Sequence, residues 1–193
     1  MPNNHIQTPF YGVAIDLFEH KKTQMWDVMC IRECNMIASG HFNIRLGIYD
    51  DIYEVGEVFS DSVRELCKND YEPNTIVHWI ASISPESRAK HISNDALWIA
   101  EVDGEIAGYL ISIPGEVVAL FVGSSFSGLG IGIALLKLGI EMARKNGAAE
   151  IKLESTITAV QFYKKIGFKE VSRGYYTYEQ TGLKLPIINM VLS

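Results

Sequence analysis

The residues of this chain with the clearest chemical use are the glycines of Ser127-Gly128-Leu129-Gly130-Ile131-Gly132. The surrounding segment runs from a short apolar stretch, Leu120-Phe121-Val122, through a glycine-rich loop into a helical pattern. The first amides of such a helix have no intrahelical acceptor, glycine lets the backbone approach a ligand closely, and the helix dipole adds positive potential at the same spot. The spacing therefore predicts a cradle for an anion, most simply a pyrophosphate. Glycines at alternate positions also occur in turns that merely start a tightly packed helix. A P-loop needs a Lys directly after its second conserved-type glycine, and no Lys follows here before Lys137, so that pattern fails. A dinucleotide fingerprint GxGxxG counted from Gly128 meets Ile133 where the third glycine belongs, although Glu150 and Glu154 lie near the distance of a ribose-binding acid.

Other reactive side chains are sparse. Cys30, Cys34 and Cys67 are too few and too odd for a disulfide framework, and without a CxxC or HxxxH pair they predict no metal site. Tyr71, His78, Trp79 and the run Tyr175-Tyr176-Thr177-Tyr178 could wall an aromatic pocket for a cationic amine, although residues of these types more often fill cores and hairpins.

The elements that must position these groups follow from periodicity and turn chemistry. Phe42 to Leu46 alternates like a half-buried strand, and Asp50 or Asp51 can cap a helix to about Lys68 with Val55, Phe59, Val63 and Leu66 on one stripe. Asn74 to Ile83 reads as a second helix, with a continuation after Pro85. Leu97 to Val102, the Asp103-Gly104 turn and Glu105 to Ile113 form a hairpin. Glu116 to Val122 is a continuous apolar strand of the kind buried on both faces. Gly130 to Lys145 is helical and stops at Asn146-Gly147. A strand at Ile151 to Leu153, a helix from Thr158 to Ile166 ended by Gly167, and strands over Phe168 to Tyr178 and Leu185 to Leu192 complete the chain. Residues 1–41 stand apart as an extension, with a strand pattern at Tyr11 to Phe18 and a helical stripe through Trp26, Met29, Cys30, Cys34 and Ile37. A bland alternative is that translation starts at Met36.

At 193 residues, with 48% hydrophobic and 21% charged content, the composition is that of a single ordinary globular domain. The net charge of -6 disfavours a nucleic-acid partner. The chain has no apolar run of the ~18 residues that a membrane helix needs, and its polar start does not read as a secretory signal, so a cytoplasmic protein without a membrane partner is expected.

Ser127 to Gly132 resembles the Gln/Arg-Gly-x-Gly-x-Gly/Ala loop of the GNAT superfamily of N-acetyltransferases. Glu116-Val117-Val118-Ala119-Leu120-Phe121-Val122 is similar to that family's fourth strand, and Thr158-Ala159-Val160-Gln161-Phe162-Tyr163-Lys164-Lys165-Ile166-Gly167-Phe168 to its Asn-Ala-x-x-Phe-Tyr-x-Lys-x-Gly-Phe block. The order and separation of the three blocks agree, over roughly Phe42 to Leu192. Ser127 and Thr158 depart from the usual Gln or Arg and from the frequent Asn, which changes side chains but keeps the main-chain donors.

The resemblance implies an α/β GNAT (acyl-CoA N-acyltransferase) fold over residues 42–193, a mixed, mostly antiparallel sheet of about seven strands with helices on both faces. It implies acetyl-CoA as co-substrate, held by Leu120, Phe121, Val122, by Ser127, Gly128, Leu129, Gly130, Ile131 and Gly132, and by Thr158 and Tyr163. Leu120 and Val122 would pair with the pantetheine arm as an added strand does. Tyr163 would protonate the leaving CoA thiolate, and Glu116 would accept the proton of the attacking amine. The acceptor would be a small-molecule or peptide amine, attacked directly in a ternary complex, and a homodimer is compatible with this. Two rival readings remain: an acyl-CoA-binding regulatory module that has lost turnover, and a Rossmann-type dinucleotide-binding protein.

Overall fold

The computed structural model describes residues 42–145, 147–178 and 181–193. The strand and helix expected within residues 1–41, with Cys30 and Cys34, lie outside the described residues, as does Asn146. In chain order the elements are β1 (Asn43–Leu46), α1 (Ile52–Leu66), α2 (Pro73–Ala81), α3 (Pro85–Ser93), β2 (Leu97–Val102), β3 (Glu105–Ile113) and β4 (Glu116–Val122). Then come α4 (Ile131–Arg144), β5 (Ile151–Thr156), α5 (Val160–Ile166), β6 (Lys169–Thr177) and β7 (Lys184–Leu192). The strands form one seven-stranded sheet in the order β1-β2-β3-β4-β5-β7-β6. Only β4 and β5 run parallel among these neighbours, and α4 is the crossover that a parallel pair requires. This is the mixed α/β architecture expected of the chain.

Alternation along β3 sorts its neighbours onto two layers. Tyr109 and Ile111 join the apolar cluster built with Val55, Phe59 and Val63 of α1, Ile76 and Trp79 of α2 and Ile92 of α3. Leu110 points the other way, against Gly139 of α4, where a Cβ would stand 2.8 Å from Leu110 Cδ1. Helices therefore cover both faces. Phe59 is wholly buried, and its ring meets those of Trp79 and Phe121 edge-on at 5.9 and 5.0 Å. Burial of each such side chain contributes about 1.5–3 kcal/mol.

Several boundaries differ from expectation for identifiable reasons. The second helix ends at Ala81, and Pro85 opens a separate helix as its first residue, because a proline that has no N–H suits a first turn and not an interior. The start of α5 falls at Val160, two residues after Thr158. β5 extends to Thr156, beyond Leu153, since pairing with β7 continues to Ile187. β4 is not buried on both faces: only Val117 is buried, and Val118 is exposed. The pairing of β3 with β4 shifts between Ile111 and Ser112, so Val118 is an extra, bulged residue. Beyond that bulge β4 has lost β5 as a partner, the parallel register being confined to Glu116 with Lys152 and Val117 with Leu153.

Asp51 sits at the N-cap of α1 but does not cap it through its side chain. Its Oδ2 instead accepts the Ile48 N–H at 2.7 Å, and its two oxygens accept Arg45 Nη1 and Nη2 at 2.7 and 2.9 Å. Arg45 also donates to Glu101 Oε1 from Nε at 2.9 Å and from Nη2 at 2.7 Å, so the network ties β1, β2 and the entry to α1 together. Burial on its own would raise the Asp51 carboxyl, but the bonds from Arg45 and from the Ile48 amide outweigh it and hold the group below the usual range. A carboxylate lowered on folding stabilises above its unfolded value and loses that contribution as pH falls through the folded one. Asp51→Asn is expected to cost about 1–2 kcal/mol at pH 7 by denaturant unfolding, with the gap from wild type narrowing below about pH 4; a gap that is flat with pH would show the charge to be unimportant.

Candidate functional site

Where β4 leaves β5, a cleft of about 670 Å³ opens between them and runs beneath α2 and α3. One wall is Glu116 to Val122 of β4, another Glu154 and Thr156 of β5 with Tyr163 of α5, and a third Tyr176 to Tyr178 at the end of β6. The fourth side is Trp79 at the end of α2 and Arg88 of α3. Helix α1 contributes Ser62, Leu66 and Cys67 at its end.

The cradle residues lie at the exit of β4. Gly123 starts a short 3-10 turn, Ser124–Phe126, which Asp61 of α1 fastens: Asp61 Oδ2 accepts the Ser124 N–H at 2.6 Å and Oδ1 accepts its hydroxyl at 3.1 Å. Nothing in the local sequence announced Asp61, since the contact spans 63 positions. Ser127, Gly128, Leu129 and Gly130 then turn through solvent into α4, and the first intrahelical bond is Ala134 N–H to Gly130 O at 3.1 Å. The amides before Ala134 at this end therefore have no acceptor within the helix. Gly128 and Gly130 have φ of +83° and +85°, a left-handed conformation that only glycine adopts without strain, and a Cβ on either would meet no atom within 4 Å. The space over the loop is open. Gly132 has ordinary room, and Ile131 is 1% exposed, so its side chain anchors the start of α4 in the core.

Not every expected ligand residue presents its side chain to the cleft. Leu120 and Val122 are half-buried cleft residues on a strand edge without β5 pairing. Phe121 also lines the cleft, but its half-buried ring is stacked on Tyr109 at 5.6 Å and packs against the core cluster. Thr158 lines the cleft but its hydroxyl donates to Asp70 Oδ2 at 2.7 Å, joining the α1–α2 connection to the β5–α5 turn. Thr156 supplies a local cap, its Oγ1 accepting the Ala159 N–H at 3.2 Å. Ser127 to Gly132 do not line the cleft itself.

Tyr163 and Glu116, far apart in sequence, both line it. Tyr163 is 6% exposed, packed by Phe162 and Phe168 at 5.1 and 5.8 Å, and its hydroxyl has no protein hydrogen-bond partner among the described residues. Burial raises this phenol well above its ordinary value, so it holds its proton at neutral pH. Sequence reasoning passed over Glu154 as a member of this site. It stands on β5 beside Glu116, and burial first, then the Glu116 charge, raise its carboxyl above the usual range. The nearby negative charge adds to burial in disfavouring the ionised form of Glu154, which suits it to take up a proton. Cys67 also borders the cleft as a buried free thiol, and burial raises it away from the thiolate form. Among the described residues no three His, Cys, Asp or Glu side chains gather as metal ligands, and no helix is long and apolar enough to cross a membrane.

The aromatic residues divide. Trp79, Tyr176 and Tyr178 line the cleft, whereas Tyr175 is 67% exposed and His78 is an exposed residue bound to Asn74 O at 2.7 Å.

A model of the acetyltransferase (GNAT) domain family matches residues 67–191. The chain is 37% identical over 103 residues to an N-alpha-acetyltransferase of Sulfurisphaera tokodaii, an alignment covering 42% of this chain and 62% of that protein. This chain thus spans less than two thirds of that relative's length. A GCN5-related N-acetyltransferase from Rhodopseudomonas palustris superposes with a TM-score of 0.74 at 21% identity, over 81% of this chain and 98% of that one. The PaiA N-acetyltransferase from Thermoplasma acidophilum, solved in complex with coenzyme A, does so with a TM-score of 0.63 at 22% identity, over 79% and 98%. These likenesses show the fold.

The side of the cleft formed by the β5–α5 turn depends on Tyr71. It is buried, its hydroxyl donates to Pro186 O and accepts the Ile157 N–H, both at 2.9 Å, and burial pushes its phenol up to about 12. Tyr71→Phe leaves both backbone groups without that partner and is expected to destabilise the protein by about 2 kcal/mol. Denaturant unfolding reads this, and a change under ~0.5 kcal/mol would mean that water replaces the hydroxyl.

Proposed function

The chain belongs to the GNAT acetyltransferase family, and from that premise we propose that it moves an acetyl group from acetyl-CoA to a primary amine by direct attack in a ternary complex. The observation that carries this reading is the parting of β4 from β5 at the Val118 bulge, next to the open first turn of α4. An unpaired strand edge can take an extended pantetheine arm as a further strand, and free amides at a helix start can hold a pyrophosphate. The open space over Gly128 and Gly130 suits such an anion.

The roles follow from burial and charge. A β4 amide near Leu120 or Val122 directed at the thioester carbonyl would stabilise the oxyanion formed on attack. The Glu116 and Glu154 pair accepts the proton of the substrate ammonium, leaving a neutral nucleophile, and Tyr163 returns a proton to the departing thiolate. Cys67, held as a thiol, takes no acyl group.

Calorimetry of the full chain with acetyl-CoA and with CoA is the decisive experiment, and absence of binding by either would remove the whole reading. Tyr163→Phe is expected to bind acetyl-CoA as wild type does while turnover falls by about tenfold or more; unchanged turnover would take this residue out of the mechanism. A second expectation concerns pH. Because the base must be ionised and Glu154 is raised partly by its neighbour, Glu116→Gln should move the acid limb of kcat/KM to lower pH. Loss of activity at every pH without a shift would instead identify Glu116 as the sole base.

A further inference from the structure

One charge in the cleft has no acidic partner among the described residues. Arg88 is only 6% exposed, yet no Asp or Glu pairs with it among the described residues, and its Nε has no hydrogen-bond partner. A buried guanidinium without a counter-charge is strongly disfavoured unless something else supplies one. Its neighbours supply no charge: the Tyr109 phenol, which shares a side-chain hydrogen bond with Arg88, is kept neutral by burial despite the opposing pull of the guanidinium, and the Phe59 ring lies 5.9 Å from the guanidinium carbon. The place is nevertheless built for this side chain. Gly56 occupies the interior of α1, where glycine lowers helix propensity, and a Cβ there would stand 3.3 Å from Arg88 Nη1 and 3.5 Å from Cζ.

The same cleft is acidic elsewhere. Tyr109 and Tyr178, both held neutral by burial, line the cleft together with Arg88, Glu116 and Glu154. A cleft whose lining holds one guanidinium and two carboxyl groups is complementary to a zwitterion, and poorly so to a polyamine, which carries no anion.

We propose that the acceptor is a small aminocarboxylate, an amino acid or close analogue, whose carboxylate is held by Arg88 while its amino group faces Glu116 and Glu154. The inference rests on the acetyl-transfer reading of this cleft. Free amino acids and polypeptides with an acidic first residue share the recognised chemistry. The free acid is favoured because a cleft of about 670 Å³ must also admit the acyl end of the co-substrate. In the reaction the ammonium loses one proton to the carboxylate pair, the lone pair of the resulting amine forms the N–C bond to the acetyl carbon, the C–S bond breaks as the adduct collapses, the thiolate takes the Tyr163 proton, and the second proton shed by the nitrogen restores that phenol. No oxidant or reductant is involved.

The full chain is assayed by thiol release from acetyl-CoA on matched pairs: L-phenylalanine with phenethylamine, L-methionine with 3-(methylthio)propylamine, and a peptide with N-terminal Asp. At least one free acid should exceed its decarboxylated partner in kcat/KM by about tenfold or more, the scale of a charge-assisted bidentate contact. Arg88→Met should raise KM for the acid by a similar factor of about ten while leaving KM for the partner amine and the acetyl-CoA affinity unchanged, and Arg88→Lys should fall between. Equal kcat/KM within every pair, equal losses on acid and amine in the variants, or preference for the peptide would each overturn the proposal while the acetyltransferase reading stands. Binding of acetyl-CoA with transfer to no amine would overturn that reading instead. Calorimetric binding of each acid against its partner amine would then still decide the anchor.

Discussion

The site depends on a pairing that the sheet fails to continue. A parallel pair is joined by a crossover, and the crossover helix must begin near the end of the first strand. Here that strand is β4 and the helix is α4, so the open amides of the helix necessarily lie close to wherever β4 runs out. The bulge at Val118 adds a residue against β3, bends β4, and ends its contact with β5 after Val117. The unpaired edge and the free helix start are thus consequences of one local irregularity and one topological rule. Their adjacency needs no further cause.

Opening a sheet in the middle would ordinarily expose core, and the surroundings show how this is met. On one layer Phe59, Trp79, Tyr109 and Phe121 form a continuous aromatic packing, of which Trp79, Tyr109 and Phe121 also line the cleft. On the far side β5 keeps full pairing with β7, and Tyr71 holds the turn that follows β5 to the strand beyond it. Asp61 fixes the turn that leads into the glycine loop. Each support comes from a segment remote in sequence from the element it restrains. That is why the cleft can stay open while the protein around it is close-packed.

Charge is distributed within the cleft by the same remote contacts. Glu154 lies two residues beyond Lys152, the partner of Glu116 in the short parallel pairing, and the Glu116 charge raises Glu154 beyond what burial does. Arg88 enters the lining because α3 is a separate helix and because Gly56 leaves room for its guanidinium beside α1. Tyr109, Tyr163 and Tyr178 are all held neutral by burial, so proton movement is confined to groups at defined positions.

Features set by neighbours in the chain were legible in the sequence. The hairpin around Asp103-Gly104, the left-handed glycines of the loop, the stop at Gly167 and the apolar stripe of α1 all follow from turn chemistry and periodicity, which act over a few residues. Three ordered motif blocks also carried the family likeness. What the sequence could not determine was register: the bulge at Val118, the exposure of β4, the commitment of Thr158 to Asp70 and of Phe121 to the aromatic core. The partnership of Glu116 with Glu154 and the lone charge of Arg88 belong with these, since they exist only when strands and helices distant along the chain are brought together. Local periodicity specifies which face of an element is apolar, and tertiary packing alone decides what that face meets and which charges are left without a partner.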